Sequence, residues 1–548
     1  MKRIYTMLLF LCITFVSTQV EAQRYLEETF TDVEVEANII YGANTTILPL
    51  LANMPPVKRP LNLNLMTPAG DTETNRPLII LLHTGNFLPR FANASVHGDV
   101  DDGYVVALAT KLAKLGYAVA LISYRKGWNP IGEQEVRTNT LINAAYRGVQ
   151  DVTTCARFFR KTAAGGNPYG IDPERITVWG VGTGGYIALA ASSLDAYEDV
   201  LINKFIGSDI DGDGFPDPMV IEEINGDPFA ETMVGLNPIS GDTLCHLNHT
   251  EGWSNEFQLC VNMGGAVGDT SWIDANDPPM ISFHVPTDPF APYEEDILIV
   301  PTTGDLVVEV QGSYTIQQRL AALGNNTVFE NGLFNDEYTD AANESNDGLA
   351  GLFPMRRPNW DITNDGEDNP IPREASPWEF WDQTTFTSEP LGQITINDEE
   401  SDPCVMAGQI VPIDLCNWHL ISLRSNPDMS VAKATTYQDS IVNFFAPRAC
   451  LALNLPDCVG LFSDTEDLLD NDFVKMSPNP TSGDVNINAS EKTILAMEVY
   501  DFQGRLVRAV REINDTRYVL NSTSFNKGMY VIKLQFEEGI VSKKVMFQ

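Results

Sequence analysis

Three observations predict an α/β fold: a doubly wound, mostly parallel sheet with an inserted cap, joined to a small C-terminal antiparallel β-sandwich. Apolar strand-like runs alternate with helix-length segments from about residue 60 to 300. A glycine-dense corner, "RITVWGVGTGGYIALAASS" (175–193), turns from one such strand into a helix. From residue 474 onward the pattern changes to short alternating segments separated by Asn, Pro and Gly turns.

Taken in order, "LNLNLMTPAGD" (61–71) alternates apolar and polar residues and ends in a Pro/Gly turn, as a half-buried strand does. "RPLIILLHTG" (76–85) is a near-continuous apolar run, suited to a strand covered on both faces. "GYVVALATKLAKLG" (103–116) has helical spacing and a glycine stop, followed by a buried strand, "YAVALISYR" (117–125). A further helix is expected over 141–161, before the glycine corner. Later strands are expected at 255–265, 278–285 and 416–422, with a closing helix at 432–446. Insertions at about 200–254 and 325–415 would supply the cap.

The chain has 548 residues, 43% hydrophobic and 20% charged, enough for more than one folded domain. Residues 1–22 read as a signal peptide: Lys2 and Arg3, an apolar run from Met7 to Val16, and a small-residue exit at Ala22. No later run approaches the roughly 20 apolar residues of a membrane-spanning helix. Without residues 1–22 the chain holds 33 basic and 73 acidic residues, a net charge near −40. Such a surface disfavours nucleic acid and anionic lipid and suits calcium. In an oxidising compartment the short spacings pair Cys245 with Cys260, Cys404 with Cys416 and Cys450 with Cys458, leaving Cys155 as a buried thiol.

The segments "LNLNLMTPAGD", "RPLIILLHTGNF", "LISYRKGWNP", "GIDPERITVWGVGTGGYIAL" and "PPMISFHVPTDPFAPY" occur in the order found in secreted carboxylesterase-like and prolyl-oligopeptidase-like α/β-hydrolases. Over residues 35–300 the chain resembles that family. The resemblance implies a G-x-S-x-G elbow, which here reads Gly180-Val181-Gly182-Thr183-Gly184, with glycine where the nucleophilic serine belongs. It implies an oxyanion site built from the backbone of Thr84 and Gly85, after His83, together with the Thr183 amide. It also makes Asp288 the orienting acid and His419 the base, in the chain order of that fold. Thr183, one residue on, points away from the histidine, and Ser192 and Ser193 lie about three turns down the helix, so neither replaces the lost nucleophile. His83 and His284 at strand ends read as structural hydrogen-bonders.

"GSDIDGDGFPDP" places Asp209, Asp211, Asp213, Gly214 and Asp217 in the register of a calcium loop, with Val220 where an EF-hand carries glutamate and Glu222 or Glu223 nearby. Structural calcium is therefore expected, stapling the cap. Asp361, Thr363, Asp365, Gly366 and Asn369 repeat the spacing with poorer ligands, and "SPWEFWD" (376–382) sets aromatics beside acids, to line a cleft or fill core.

Residues 463–473 read as an acidic linker ahead of 474–548. That last segment carries Pro478-Asn479-Pro480, Gly483, Asp501 with Gly504, Gly528-Met529-Tyr530 and Lys543-Lys544, and closely resembles the type A C-terminal sorting domain of the type IX secretion system. The resemblance implies the secretion machinery as a partner and a secreted or cell-surface location. Three functions compete for residues 23–462: a hydrolase-fold protein weakened or silenced by the loss of its serine, with a small molecule or peptide in its cleft; an ester or peptide hydrolase with an atypical nucleophile; and a calcium-stabilised, non-enzymatic surface binder.

Overall fold

The computed structural model describes residues 23–93, 95–209, 214–300, 304, 306–356, 374–387, 405–406, 409–410, 417–423, 425–462, 473–490, 492–501, 506–511, 513–536 and 539–547. The chain divides into two units, residues 1–462 and 463–548.

The first unit is built on an eight-stranded sheet. Its strands are β1 (Val33–Thr46), β2 (Val57–Pro68), β3 (Arg76–Leu82), β4 (Ala118–Ile122), β5 (Ile171–Val181), β6 (Leu259–Met263), β7 (Met280–His284) and β8 (Leu352–Pro354). Their spatial order is β1-β2-β4-β3-β5-β6-β7-β8. β1 and β2 pair antiparallel, as do β2 and β4; every pairing from β4 onward is parallel.

β3 shows why the centre reads as an unbroken apolar run. All seven of its residues are buried. Leu78, Ile80 and Leu82 join the core beneath α2 (Gln134–Ala164) and α3 (Thr183–Ser193). Ile79 and Leu81 join the opposite core, beneath α1 (Gly103–Lys114) and the closing helix, Val431–Ala452. Successive side chains point to opposite faces, so helices on both sides demand apolar residues at every position.

The second unit is antiparallel: a three-stranded sheet of Lys475–Ser477, Val485–Asn488 and Arg517–Leu520, and a four-stranded sheet ordered Leu506–Val510, Ala496–Asp501, Gly528–Phe536, Gly539–Phe547. Tyr530, Ile532, Leu534 and Phe536 alternate into its core, the period-2 signal visible in the sequence.

Two expectations are corrected. Segment 416–422 is not a strand: Trp418–Ser422 is a helical turn, and Asn417 Oδ1 accepts the Leu420 N–H at 3.0 Å in the manner of an N-cap. Cys245 and Cys260 are not paired; both are free and buried. Cys260 lies within β6 in the centre of the sheet, while the Cys245 thiol faces Asn44 Nδ2 at 3.8 Å. Cys450 and Cys458 do form a disulfide, and Cys155 is a free buried thiol. The signal peptide, Cys404, Cys416, Asp211, Asp213 and the second acidic loop at 361–369 lie outside the described residues.

Candidate active site at the strand-to-helix corner

β5 ends at Val181 and α3 starts at Thr183, so the whole reversal falls on Gly182. Its dihedrals, φ 53° and ψ −117°, lie where side-chain-bearing residues are strained. Gly182 N–H donates to Met263 O at 2.8 Å, and its carbonyl accepts the Gly185 N–H at 2.8 Å, which fixes the corner between β6 and the helix. Gly184 is needed for a different reason: a Cβ there would lie 2.6 Å from Leu82 O, so only glycine lets α3 start this close to β3.

The loop after β3 meets the corner from the other side. A Cβ built on Gly182 would overlap Thr84 Oγ1 and lie 2.9 Å from Thr84 Cβ. The same hydroxyl accepts the Thr183 N–H at 3.4 Å, while the Thr84 N–H donates to Tyr104 Oη at 3.3 Å. Two of the three amides expected to face an oxyanion are thus engaged within the protein. Gly85 lines the adjacent cavity with φ 137°. His83 is locked below the loop: its ring stacks on Tyr124 at 4.6 Å, Nδ1 pairs with Thr84 O, and burial lowers its pKa to about 4.

Asp288 follows β7 and is buried. Its Oδ1 accepts the N–H groups of Phe290 (2.8 Å) and Ala291 (3.1 Å). Burial raises its pKa to about 7 against these two bonds, with Glu379 adding to the rise. Its other oxygen is 4.0 Å from His284 Nε2. That imidazole is neutral, lowered to about 4 by burial: Nε2–H donates to Ala291 O at 3.1 Å, and Nδ1 accepts from Ser313 Oγ at 2.8 Å.

Gly182, Thr183, Thr84, Gly85 and Asp288 all line one cavity of about 290 Å³. His419 is placed elsewhere. It is buried, its Nδ1 accepts the Trp381 indole N–H at 3.0 Å, and burial lowers its pKa. Trp381 lines the cavity, so one indole separates this imidazole from the wall. Asp288 and His419 therefore do not share a hydrogen bond among the described residues.

Residues 63–208 match the BD-FAE family model, of α/β-hydrolase, esterase-like proteins, and residues 475–548 match the secretion system C-terminal sorting domain. The chain joins an α/β-hydrolase fold to a C-terminal sorting domain. The sorting domain marks this α/β-hydrolase-fold protein for type IX export, to the exterior or the cell surface. Similar solved structures include Thermogutta terrifontis esterase 2 phosphorylated by paraoxon, at 16% identity over 48% of this chain and 74% of that one, TM-score 0.27. Another is a bifunctional GH43-CE protein of Bacteroides eggerthii, at 16% identity over 53% of this chain and 31% of that one, TM-score 0.28. Comparison with curated proteins gives no match. No helix among the described residues is long and apolar enough to cross a membrane.

The hydrolase-fold unit adds polar groups that the motifs did not single out. His97 lines the cavity with Nε2 3.2 Å from Glu379 Oε2 and Nδ1 3.9 Å from Asp102 Oδ2. Burial disfavours its charge, but the two carboxylates outweigh that and raise its pKa. Glu379 and Trp378, from the aromatic–acidic segment 376–382, also stand in the wall, as does Tyr186 in the first turn of α3. "SPWEFWD" carried a signal for the first two; nothing in the local sequence around His97 or Tyr186 marked them.

Of the expected calcium ligands, Asp209 and Asp217 are described. Asp209 Oδ2 accepts the Gly214 N–H at 2.8 Å, and the loop is closed by Gly207 N–H to Asp217 O (2.8 Å) and Asp217 N–H to Ser208 O (3.1 Å). Among the described residues no three metal-ligating side chains converge.

Proposed function

We propose that this exported protein is silent as a serine hydrolase and has kept the cavity beside the elbow for binding a small ligand. One observation carries the reading: the corner holds the sharp turn of a nucleophile elbow at Gly182, and that residue has no side chain. Acyl transfer by this fold needs an attacking atom there, activated by an imidazole. The Thr183 hydroxyl does not supply it; its neighbour is Tyr124 Oη at 3.5 Å, and among the described residues no imidazole is bonded to it. The mature full-length protein, incubated with a fluorophosphonate probe and a short-chain aryl ester, should stay unlabelled and show hydrolysis near background. Labelling at Thr183 would instead establish an atypical nucleophile.

We further infer structural calcium at 209–217. Asp209 and Asp217 offer hard oxygen donors at the two ends of a loop closed by backbone bonds, which fits the ion's chemistry. Calcium binding to the folded state would raise the melting temperature. Chelation with EDTA should lower it and added calcium restore it; an unchanged midpoint in both steps removes calcium from the account.

A further inference from the structure

The cavity is lined by two residues, Tyr186 and Trp378, whose donors have no acceptor among the described residues. Tyr186 lies four residues beyond Gly182, one helical turn on, and so faces the same opening. Its hydroxyl is buried and has no hydrogen-bond partner among the described residues, and the same holds for the indole N–H of Trp378. Nine in ten or more buried polar groups are bonded, so two orphan donors on residues lining one cavity require an explanation. An indole N–H can only donate. Burial and the nearby Asp288 push the Tyr186 pKa upward, which keeps that group a donor too. What both lack is an acceptor oxygen among the described residues.

The rest of the wall limits what can carry that oxygen. Leu141, Val149, Leu194, Phe205, Trp272 and Val308 give the same cavity a largely apolar lining. A dry apolar cavity of about 150 Å³ holds a benzene ring, so 290 Å³ admits an apolar molecule of about ten heavy atoms. Asp288, 4.0 Å from the neutral His284, opposes an anion in the same cavity, whereas the Glu379 charge is met by His97 at 3.2 Å. An ammonium, itself donor-only, would leave both orphan donors unmet.

Resting on the reading of this unit as a ligand binder, we propose that the cavity takes an uncharged, mostly apolar molecule with one oxygen acceptor, received by the Tyr186 hydroxyl and the Trp378 indole N–H. 2-Octanone has this chemistry, and octanoate and octylamine are its charged counterparts. Titrated calorimetrically into the mature full-length protein, 2-octanone should bind saturably and about tenfold or more tightly than either counterpart, the scale of one hydrogen bond to an otherwise unpaired buried group.

Tyr186→Phe removes only the hydroxyl. It should weaken 2-octanone binding about tenfold and yet raise the melting temperature of the free protein, because a buried donor without a partner costs stability. Trp378→Phe should weaken binding similarly, and Ala145→Phe, which fills the apolar side, should abolish it. A lower melting temperature for Tyr186→Phe with unchanged binding would make the hydroxyl structural and overturn the proposal. So would octanoate binding as tightly as the ketone, or no saturable binding of 2-octanone. Fluorophosphonate labelling speaks only to the catalytic reading and leaves these binding outcomes separate.

Discussion

The side chain of Thr84 occupies the space that a side chain at Gly182 would need: a Cβ on Gly182 would overlap Thr84 Oγ1 and stand 2.9 Å from Thr84 Cβ. Its hydroxyl also accepts the Thr183 N–H, the amide that an oxyanion would use in a working site of this fold. One residue therefore takes the space of a side chain at Gly182 and engages the Thr183 amide.

Restoring serine alone should fail. Gly182→Ser places a Cβ into Thr84 and puts a side chain at φ 53°; strain of this kind costs about 1–3 kcal/mol. The single variant should melt below the parent and remain unlabelled by fluorophosphonate. Thr84→Gly combined with Gly182→Ser should recover much of the lost stability. The double variant should still label slowly, since His419 Nδ1 is taken by the Trp381 indole N–H and so cannot donate to Asp288. A stable, readily labelled single variant would show that Thr84 does not fill the site.

The parallel strands were legible because burial on both faces leaves an apolar run that no turn residue interrupts, as in Arg76–Leu82. The strand-to-helix corner was legible because close backbone approach and positive φ favour glycine at Gly182 and Gly184. Other parts were not. Leu352–Pro354 is too short for periodicity to detect, and the Trp418–Ser422 turn has the composition of a strand, with only Asn417 as a capping signal. Thr84, expected only to lend its backbone to an oxyanion site, sets its side chain against Gly182. Its contact with Gly182 spans two strands, and local sequence has no means of encoding it. The Cys245–Cys260 pairing failed likewise, because spacing along the chain ignores the sheet that encloses Cys260.

Asp288 should give the protein a stability decrement that appears with rising pH. Its folded pKa, near 7, lies above the unfolded value of about 3.9, so the folded state binds the proton more tightly. Stability from this group is therefore full below about pH 4 and declines as pH rises to about 7, by up to roughly 4 kcal/mol. Asp288→Asn keeps an oxygen for the Phe290 and Ala291 amides and removes the charge. The variant should gain stability relative to the parent between pH 5 and 8 in urea titrations; a constant difference across that range would rule out this assignment. Asp277, also raised to about 7 by burial, titrates in the same window in both proteins and cancels in the comparison.

The sulfur chemistry makes a count. Cys155, Cys245 and Cys260 are free but buried, so a water-soluble thiol reagent should find none of these three in the native protein and all three after denaturation without reductant. Reduction of Cys450–Cys458 releases a short loop at the end of the closing helix, worth about 2–3 kcal/mol in the chain-entropy model. Reductant should therefore lower the melting temperature of the parent, and much less that of a Cys450→Ala/Cys458→Ala variant.

A buried ion pair should prove the most sensitive position outside the cavity. Arg125 leaves β4 with its Nε 2.8 Å from Asp151 Oδ1, its backbone N–H donating to Asp151 Oδ2 at 2.7 Å, and Nη2 donating to Gln150 at 2.8 Å. Neither side chain is more than 2% exposed. The pair fastens the exit of β4 to the middle of α2, the helix that supplies Leu141 and Val149 to the cavity wall. Asp151→Ala leaves the guanidinium buried without its counter-charge, which costs about 3–5 kcal/mol, whereas replacing both partners by apolar residues avoids that penalty. Denaturant unfolding of Asp151→Ala, Arg125→Met and the double variant should show the double variant to be more stable than the sum of the two single losses predicts. Additive losses would mean that the two charges are solvated independently and that β4 and α2 are held together by apolar packing alone.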